Sequence, residues 1–328
     1  MVNKLWCETS IPILWKNPWK NDIKYSNKSF LYNIITFYFT DNIKDFLLPT
    51  TIIYQSLLFD YLSFCRCINV NTLYNIISVE TSSDYDRFLL QQELYNVIIR
   101  KCPGLKYLNM ISIKHQIFYF PEAKTRLESL NELKCDTSTD SSYFYGLANV
   151  CQNIQGLIIT NTNKKVNHGI IKLIEVQRNL KYFEWNDNYE EDFFIELLED
   201  PYTEIFSILA KHANSLNNFV VYLQCDFDYD HYIHSQRYAF LPIILKKLHK
   251  LKRLNLPSFP LDNDERMKTL KYHDLERFEI DYININLITC IIKNSGGYLK
   301  SISIDDYYTI FDSLDDEEDC FKFYTYNL

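Results

Sequence analysis

The chain has 328 residues and a formal charge of −8, with 47% hydrophobic and 23% charged side chains, a balance that excludes wholesale disorder and supplies a sizeable core. With six glycines it holds no GxGxxG or GxxxxGK(S/T) phosphate cradle, and GxSxG and HExxH are also missing. The acidic balance, with a pI near 5.4, argues against a dedicated nucleic-acid binder, and nine scattered cysteines without a CxxC pair argue for reduced thiols rather than disulfides or a zinc knuckle.

Residues 1–19 read MVNKLWCETSIPILWKNPW. They lack the apolar run of a signal peptide. The segment resembles the C-terminal part of an F-box, in which a helix ending in Trp is followed after a short span by Leu-Trp. Trp6, with Val2 ahead of it, takes the first place here, and Leu14, Trp15 and Lys16 the second. The Leu-Pro start of that motif has no counterpart, so 1–19 is read as a truncated F-box remnant. The resemblance implies that Val2, Trp6, Leu14 and Trp15 contact a Skp-type adaptor subunit. Capping of the repeats that follow is the other role open to these apolar side chains.

Residues 20–87 are expected to be a linker with irregular first repeats, including a strand and helix over 63–79. The apolar stretch 30–62 is interrupted by Asp41, Lys44, Asp45 and Pro49 before reaching the roughly 18 to 20 residues a membrane helix needs, so no span is predicted. Cys65-Arg66-Cys67 is read as small apolar packing in a strand rather than a reactive pair.

From 88 to 310 the pattern LxxLxL recurs eight times, beginning at Leu105, Leu130, Ile154, Leu180, Leu216, Leu251, Leu275 and Leu299, at spacings of 25, 24, 26, 36, 35, 24 and 24. Lys106, Lys181, Lys252 and Lys300 follow the first apolar residue of four copies. Amphipathic helical spacing fills 169–179, 202–215 and 284–293. Strand, turn and helix in repetition resemble the longer leucine-rich repeats, and Cys102 and Cys151, three residues before Leu105 and Ile154, resemble the cysteine-containing variety. The expected fold is therefore α/β: a right-handed, ribonuclease-inhibitor-like horseshoe solenoid behind a short helical F-box remnant, with 311–328 as an acidic tail or end cap.

Alternation along the strands predicts a concave, partner-binding face carrying Tyr107, Asn109, Glu132, Lys134, Gly156, Ile158, Tyr182, Glu184, Asn218, Val220, Arg253, Asn255, Arg277, Glu279, Ser301 and Ser303. The two long spacings hold insertions at 186–201 and 224–237. Glu190, Glu191 and Asp192 in the first belong to the same candidate surface, because residues 182–236 carry 12 acidic and 1 basic side chains. Asp226, Asp228, Asp230, His231 and His234 in the second are read as a solvated acidic loop and not a metal site.

In fungal families an F-box ending of this kind precedes degenerate leucine-rich repeats. The combined resemblance implies a substrate-recognition adaptor of a Skp/cullin/F-box ubiquitin ligase, with an unidentified protein target and no chemistry of its own. The alternative is a stand-alone repeat scaffold without ligase docking. Either way the expectation is a cytoplasmic or nuclear protein without catalytic residues, cofactor, metal, nucleic acid, membrane or homo-oligomer.

Overall fold

The computed structural model describes residues 4–19, 25–47, 57–78, 83–163, 165–188, 200, 202–223, 240–256, 269–280, 285–305 and 323–327. They form two compact units, one of residues 1–135 with 146–153 and one of 136–145 with 154–328.

The first unit opens with helices α1 (Lys4–Leu14), α2 (Tyr25–Thr36) and α3 (Asp41–Leu47), then a 3-10 turn at Tyr61–Phe64. Strand β1 (Cys67–Asn69) leads straight into α4 (Val70–Ile77), because the Asn69 side chain accepts a hydrogen bond from Thr72 N at 3.1 Å and caps the helix. Val70, Leu73, Ile76 and Ile77 give α4 one buried face. Ser83 caps α5 (Asp84–Lys101), which places Asp84 and Asp86 in its first turn and Arg100 and Lys101 in its last, as the helix dipole favours. Strand β2 (Tyr107–Asn109), a 3-10 turn at Ile117–Tyr119, the one-turn α6 (Ala123–Leu127) and β3 (Glu132–Asp136) follow. The order is β1-β2-β3, all parallel. Helix α7 runs over Ser141–Val150.

The second unit alternates β4 (Gly156–Asn161), α8 (His168–Glu175), β5 (Tyr182–Asp187), α9 (Thr203–Leu209) and β6 (Asn218–Tyr222). It continues with α10 (Phe240–Lys247), β7 (Arg253–Leu256), β8 (Arg277–Ile280), α11 (Ile285–Asn294) and β9 (Ser301–Asp305). Strands β4 to β9 lie in chain order and run parallel, and β10 (Phe323–Asn327) pairs antiparallel with β9. The core is rich in rings: Phe206 stacks on Phe240 with centroids 4.8 Å apart, and Phe183, Trp185, Tyr202 and Phe219 surround them.

All but one of the LxxLxL residues are core residues, Ile304 of the last copy being half-buried. Leu105, Leu108, Met110, Leu130, Leu133, Ile154, Leu157, Leu180, Phe183, Leu251, Leu254, Leu275 and Phe278 are all fully buried. The residue after the first apolar position also has a backbone role. Lys106 O receives Asn131 N and Glu132 N, Lys181 O receives Asn217 N and Asn218 N, and Lys252 O receives Glu276 N and Arg277 N. Each carbonyl thus ties in the entry of the next strand, which satisfies amides that the ladder has not yet reached.

The expected horseshoe of leucine-rich repeats is corrected by this arrangement. The chain is an α/β protein whose parallel strands, β1 to β3 in the first unit and β4 to β9 in the second, are interleaved with helices, the broad parallel class that includes Rossmann-like and TIM-like folds. The connections are also unequal: α4 and α5 lie between β1 and β2, whereas a 3-10 turn and the one-turn α6 lie between β2 and β3. The physical reason for the misreading is that LxxLxL at 24 to 26 residues reports a buried parallel strand plus its crossover. Parallel α/β sheets share that pattern. The strand and helix expected over 63–79 are β1 and α4, within the segment expected to be a linker with irregular first repeats, and the helices expected at 169–179, 202–215 and 284–293 are α8, α9 and α11.

Candidate functional site

In the first unit α1 buries none of its residues. Leu5, Trp6, Ile13 and Leu14 are each about two-thirds exposed, Trp6 at 66% and Leu14 at 68%. The chain beyond the helix turns inward. Trp15 is only 9% exposed and packs on Tyr61 with ring centroids 4.7 Å apart, and the buried Trp19 donates its indole N–H to Cys67 O at 2.8 Å. Arg66 N donates to Lys16 O at 3.0 Å, which joins the same segment to the entry of β1. Of the four residues expected to meet an adaptor, Trp6 and Leu14 are therefore presented and Trp15 is a packing residue. Val2 lies outside the described residues.

Tyr107 and Glu132 are register partners across β2 and β3. Glu132 is exposed and Tyr107 half-buried, while Asn109 is buried and accepts Ile111 N at 3.2 Å. Asn109 stabilises the turn after β2. Burial, the Glu132 carboxylate and Cys67 together raise the Tyr107 phenol above its ordinary range.

The second unit collects the remaining candidates. Tyr182, Asn218, Arg253 and Arg277 form one register row across β5 to β8, and Glu184, Val220, Asn255 and Glu279 form the row two residues on. Tyr182 OH donates to Glu184, Arg253 Nη2 to Glu279 at 2.9 Å, and Asn255 Nδ2 also to Glu279. Arg277 is exposed and Asn218 half-buried. Val220 and Asn255, expected on the surface, are buried in the middle of the second row. Burial raises the Tyr182 and Tyr222 phenols, helped by Glu184 for the first and by Glu184 and Glu279 for the second, so both stay neutral hydroxyls. For Arg253 burial opposes the charge, but the hydrogen bond and charge of Glu279 more than offset it. Tyr222, at the end of β6 and 3.4 Å from Asn255 Nδ2, completes the patch. The strand alternation that selected Val220 points to Tyr222 as well, and carrying it one step further along β6 finds the residue. Neutral phenols, one cation and two carboxylates in fixed pairs form a hydrogen-bonding surface and supply no activated nucleophile.

A second polar network went unread in the sequence. Thr137 Oγ1 donates to Asn161 Oδ1, Asn161 Nδ2 to Asp187 Oδ1, Trp185 Nε1 to the same oxygen, and Tyr202 OH to Asp187 Oδ2, at 2.8 to 3.0 Å. Asn188, one residue beyond this ladder, gives its own amide N to Asn161 O at 2.9 Å. The network satisfies the turns after β3 and β4, since Thr162 N and Asn163 N donate to Thr137 Oγ1.

Glu190, Glu191 and Asp192, and the string Asp226, Asp228, Asp230, His231 and His234, lie outside the described residues. Among the described residues no group of three or more His, Cys, Asp or Glu could hold a metal ion, and no helix is long and apolar enough to cross a membrane. Cys65 and Cys67 are buried, which pushes their thiols up to about 12 and about 11 and keeps them protonated. No protein-family model matches the chain, and no curated protein matches it in sequence.

Proposed function

We propose that the chain is a non-catalytic substrate-recognition adaptor of a Skp/cullin/F-box ubiquitin ligase. Helix α1 docks the Skp-type subunit, and the polar sheet face around Tyr182, Glu184, Arg253 and Glu279 engages the protein target. The observation that carries this reading is the division of labour at the N-terminus. Leu5, Trp6, Ile13 and Leu14 are exposed on a helix without a buried residue, while Trp15 and Trp19 immediately after it are anchored in the core. Large apolar side chains on a supported helix are the residue types that become interface anchors. Buried cysteines outside any disulfide at Cys65, Cys67, Cys102, Cys135 and Cys151 suit the reducing cytoplasm or nucleus.

The test is capture of a purified Skp-type subunit by the full chain. Trp6→Ala with Leu14→Ala weakens capture at least about tenfold while leaving the unfolding midpoint nearly unchanged. Trp15→Ala instead lowers stability by about 3–5 kcal/mol, the usual cost of emptying a buried Trp site. Failure of the intact chain to bind the subunit rejects ligase docking. The pre-paired polar row of the second unit would then favour the alternative, a stand-alone interaction scaffold.

A further inference from the structure

In the first unit α4, α5 and the turn after β2 enclose a cleft of about 440 Å3, lined among others by Tyr74, Asp84, Arg87, Phe88, Gln91 and Lys114. Clefts that hold small molecules measure roughly 300–1,000 Å3 and combine apolar walls with a few converging polar groups. The walls are aromatic: Tyr74 and Phe88 are both more than one-third exposed, and Phe88 is held in place by stacking on His115 with centroids 4.1 Å apart. The Arg87 guanidinium lies 5.7 Å from the Tyr74 ring centroid and pairs with Asp84, whose side chain is almost wholly in solvent. Arg87 Nε is buried without a hydrogen-bond partner. Lys114 is exposed and forms no salt bridge among the described residues. Gln91 is only 7% exposed, lines the cleft, and makes no side-chain hydrogen bond among the described residues.

We propose that this cleft binds a small organic anion with a flat aromatic body. Two cations face one carboxylate, so the lining carries a net positive charge. The ligand's carboxylate replaces Asp84 on Arg87, which costs little because exposed ion pairs are weak, and Lys114 supplies the second charge. The ring enters between Tyr74 and Phe88, and the Gln91 carboxamide hydrogen-bonds to the ligand. The ligand's carboxylate also offers an acceptor to Arg87 Nε, a buried N–H without a partner in the empty protein, which is unfavourable until the ligand relieves it.

The probe is benzoate, titrated into the full chain and followed by ligand-detected NMR, with acetate and benzyl alcohol as comparisons. Saturable one-to-one binding is expected, at least about tenfold tighter for benzoate than for acetate or benzyl alcohol, because only benzoate offers both charge and ring. Arg87→Gln weakens it about tenfold or more. Lys114→Gln, at an exposed position that leaves folding intact, weakens it by a smaller factor and carries the test should Arg87→Gln unfold. Absence of saturable benzoate binding, equal binding of acetate, or unchanged affinity in Lys114→Gln overturns the proposal.

Discussion

At the residue scale, burial decides what each polar group can do. His212 is buried with Nε2 2.9 Å from Ile174 O, and His115 is buried with Nε2 3.0 Å from Phe88 O. Burial lowers both imidazoles below their ordinary 6.5, outweighing the hydrogen bond that favours the charged form. The folded chain therefore holds them neutral at a pH where the unfolded chain has begun to protonate them. Their contribution to stability is fully present above about pH 6.5 and is lost as pH falls through the depressed folded values. The urea midpoint, followed from pH 8 to pH 5, is expected to fall below pH 6.5. His212→Gln flattens part of that slope; a slope identical to that of the parent chain would contradict the assignment. Individual burial of this kind was only partly legible in the sequence. The alternation placed Tyr182, Glu184 and Arg253 on one sheet face but treated Asn109, Val220 and Asn255 as surface, because it reports which face a side chain takes and not what packs over that face.

At the element scale, close approach is the decisive feature of the second unit. Gly169, at the start of α8, lies so near the first turn of α7 that an added Cβ would come within 2.2 Å of Ser141 O and 2.9 Å of Phe144 Cβ. Asn167 fastens the same junction: its Nδ2 donates to Thr139 O at 2.8 Å, Ser141 Oγ donates to its Oδ1 at 3.0 Å, and that oxygen also accepts Ile170 N. Gly169→Ala forces backbone apart and is expected to cost about 1–3 kcal/mol in denaturant unfolding, despite the better helix propensity of Ala. An unchanged or raised midpoint would show that the junction can open. The helix itself was readable from Ile170, Leu173 and Ile174, whose spacing marks one apolar face. The glycine's reason was not, since it depends on a segment 28 residues earlier in the chain. The strand-entry carbonyls show the same division: the recurring lysines were visible as a pattern, but their backbone role exists only once consecutive strands are parallel and adjacent.

At the scale of the whole molecule, charge is unevenly distributed. Residues 1–181 carry 20 basic and 15 acidic side chains, whereas 182–236 carry 1 and 12. On the proposed adaptor reading, the acidic segment favours a basic target. Capture of such a target should weaken steeply with ionic strength and with neutralisation of Glu190, Glu191 and Asp192 to their amides, whereas salt-independent capture would place recognition elsewhere. The sequence alone determined that the apolar LxxLxL positions enter the core, that strands recur with helices between several of them from 88 to 310, and that no phosphate cradle of the familiar glycine-rich kind is present, because these follow from local periodicity and residue type. It did not distinguish a leucine-rich-repeat horseshoe from another parallel α/β arrangement, since a buried strand followed by a crossover produces the same apolar period in both. Only the tertiary structure decided that, and only it separated exposed Trp6 from buried Trp15, brought Arg87, Gln91 and Lys114 to one cleft, and joined Thr137, Asn161, Asp187 and Tyr202. Each of these depends on which distant segment packs against a residue, a relation that the local pattern around that residue does not contain.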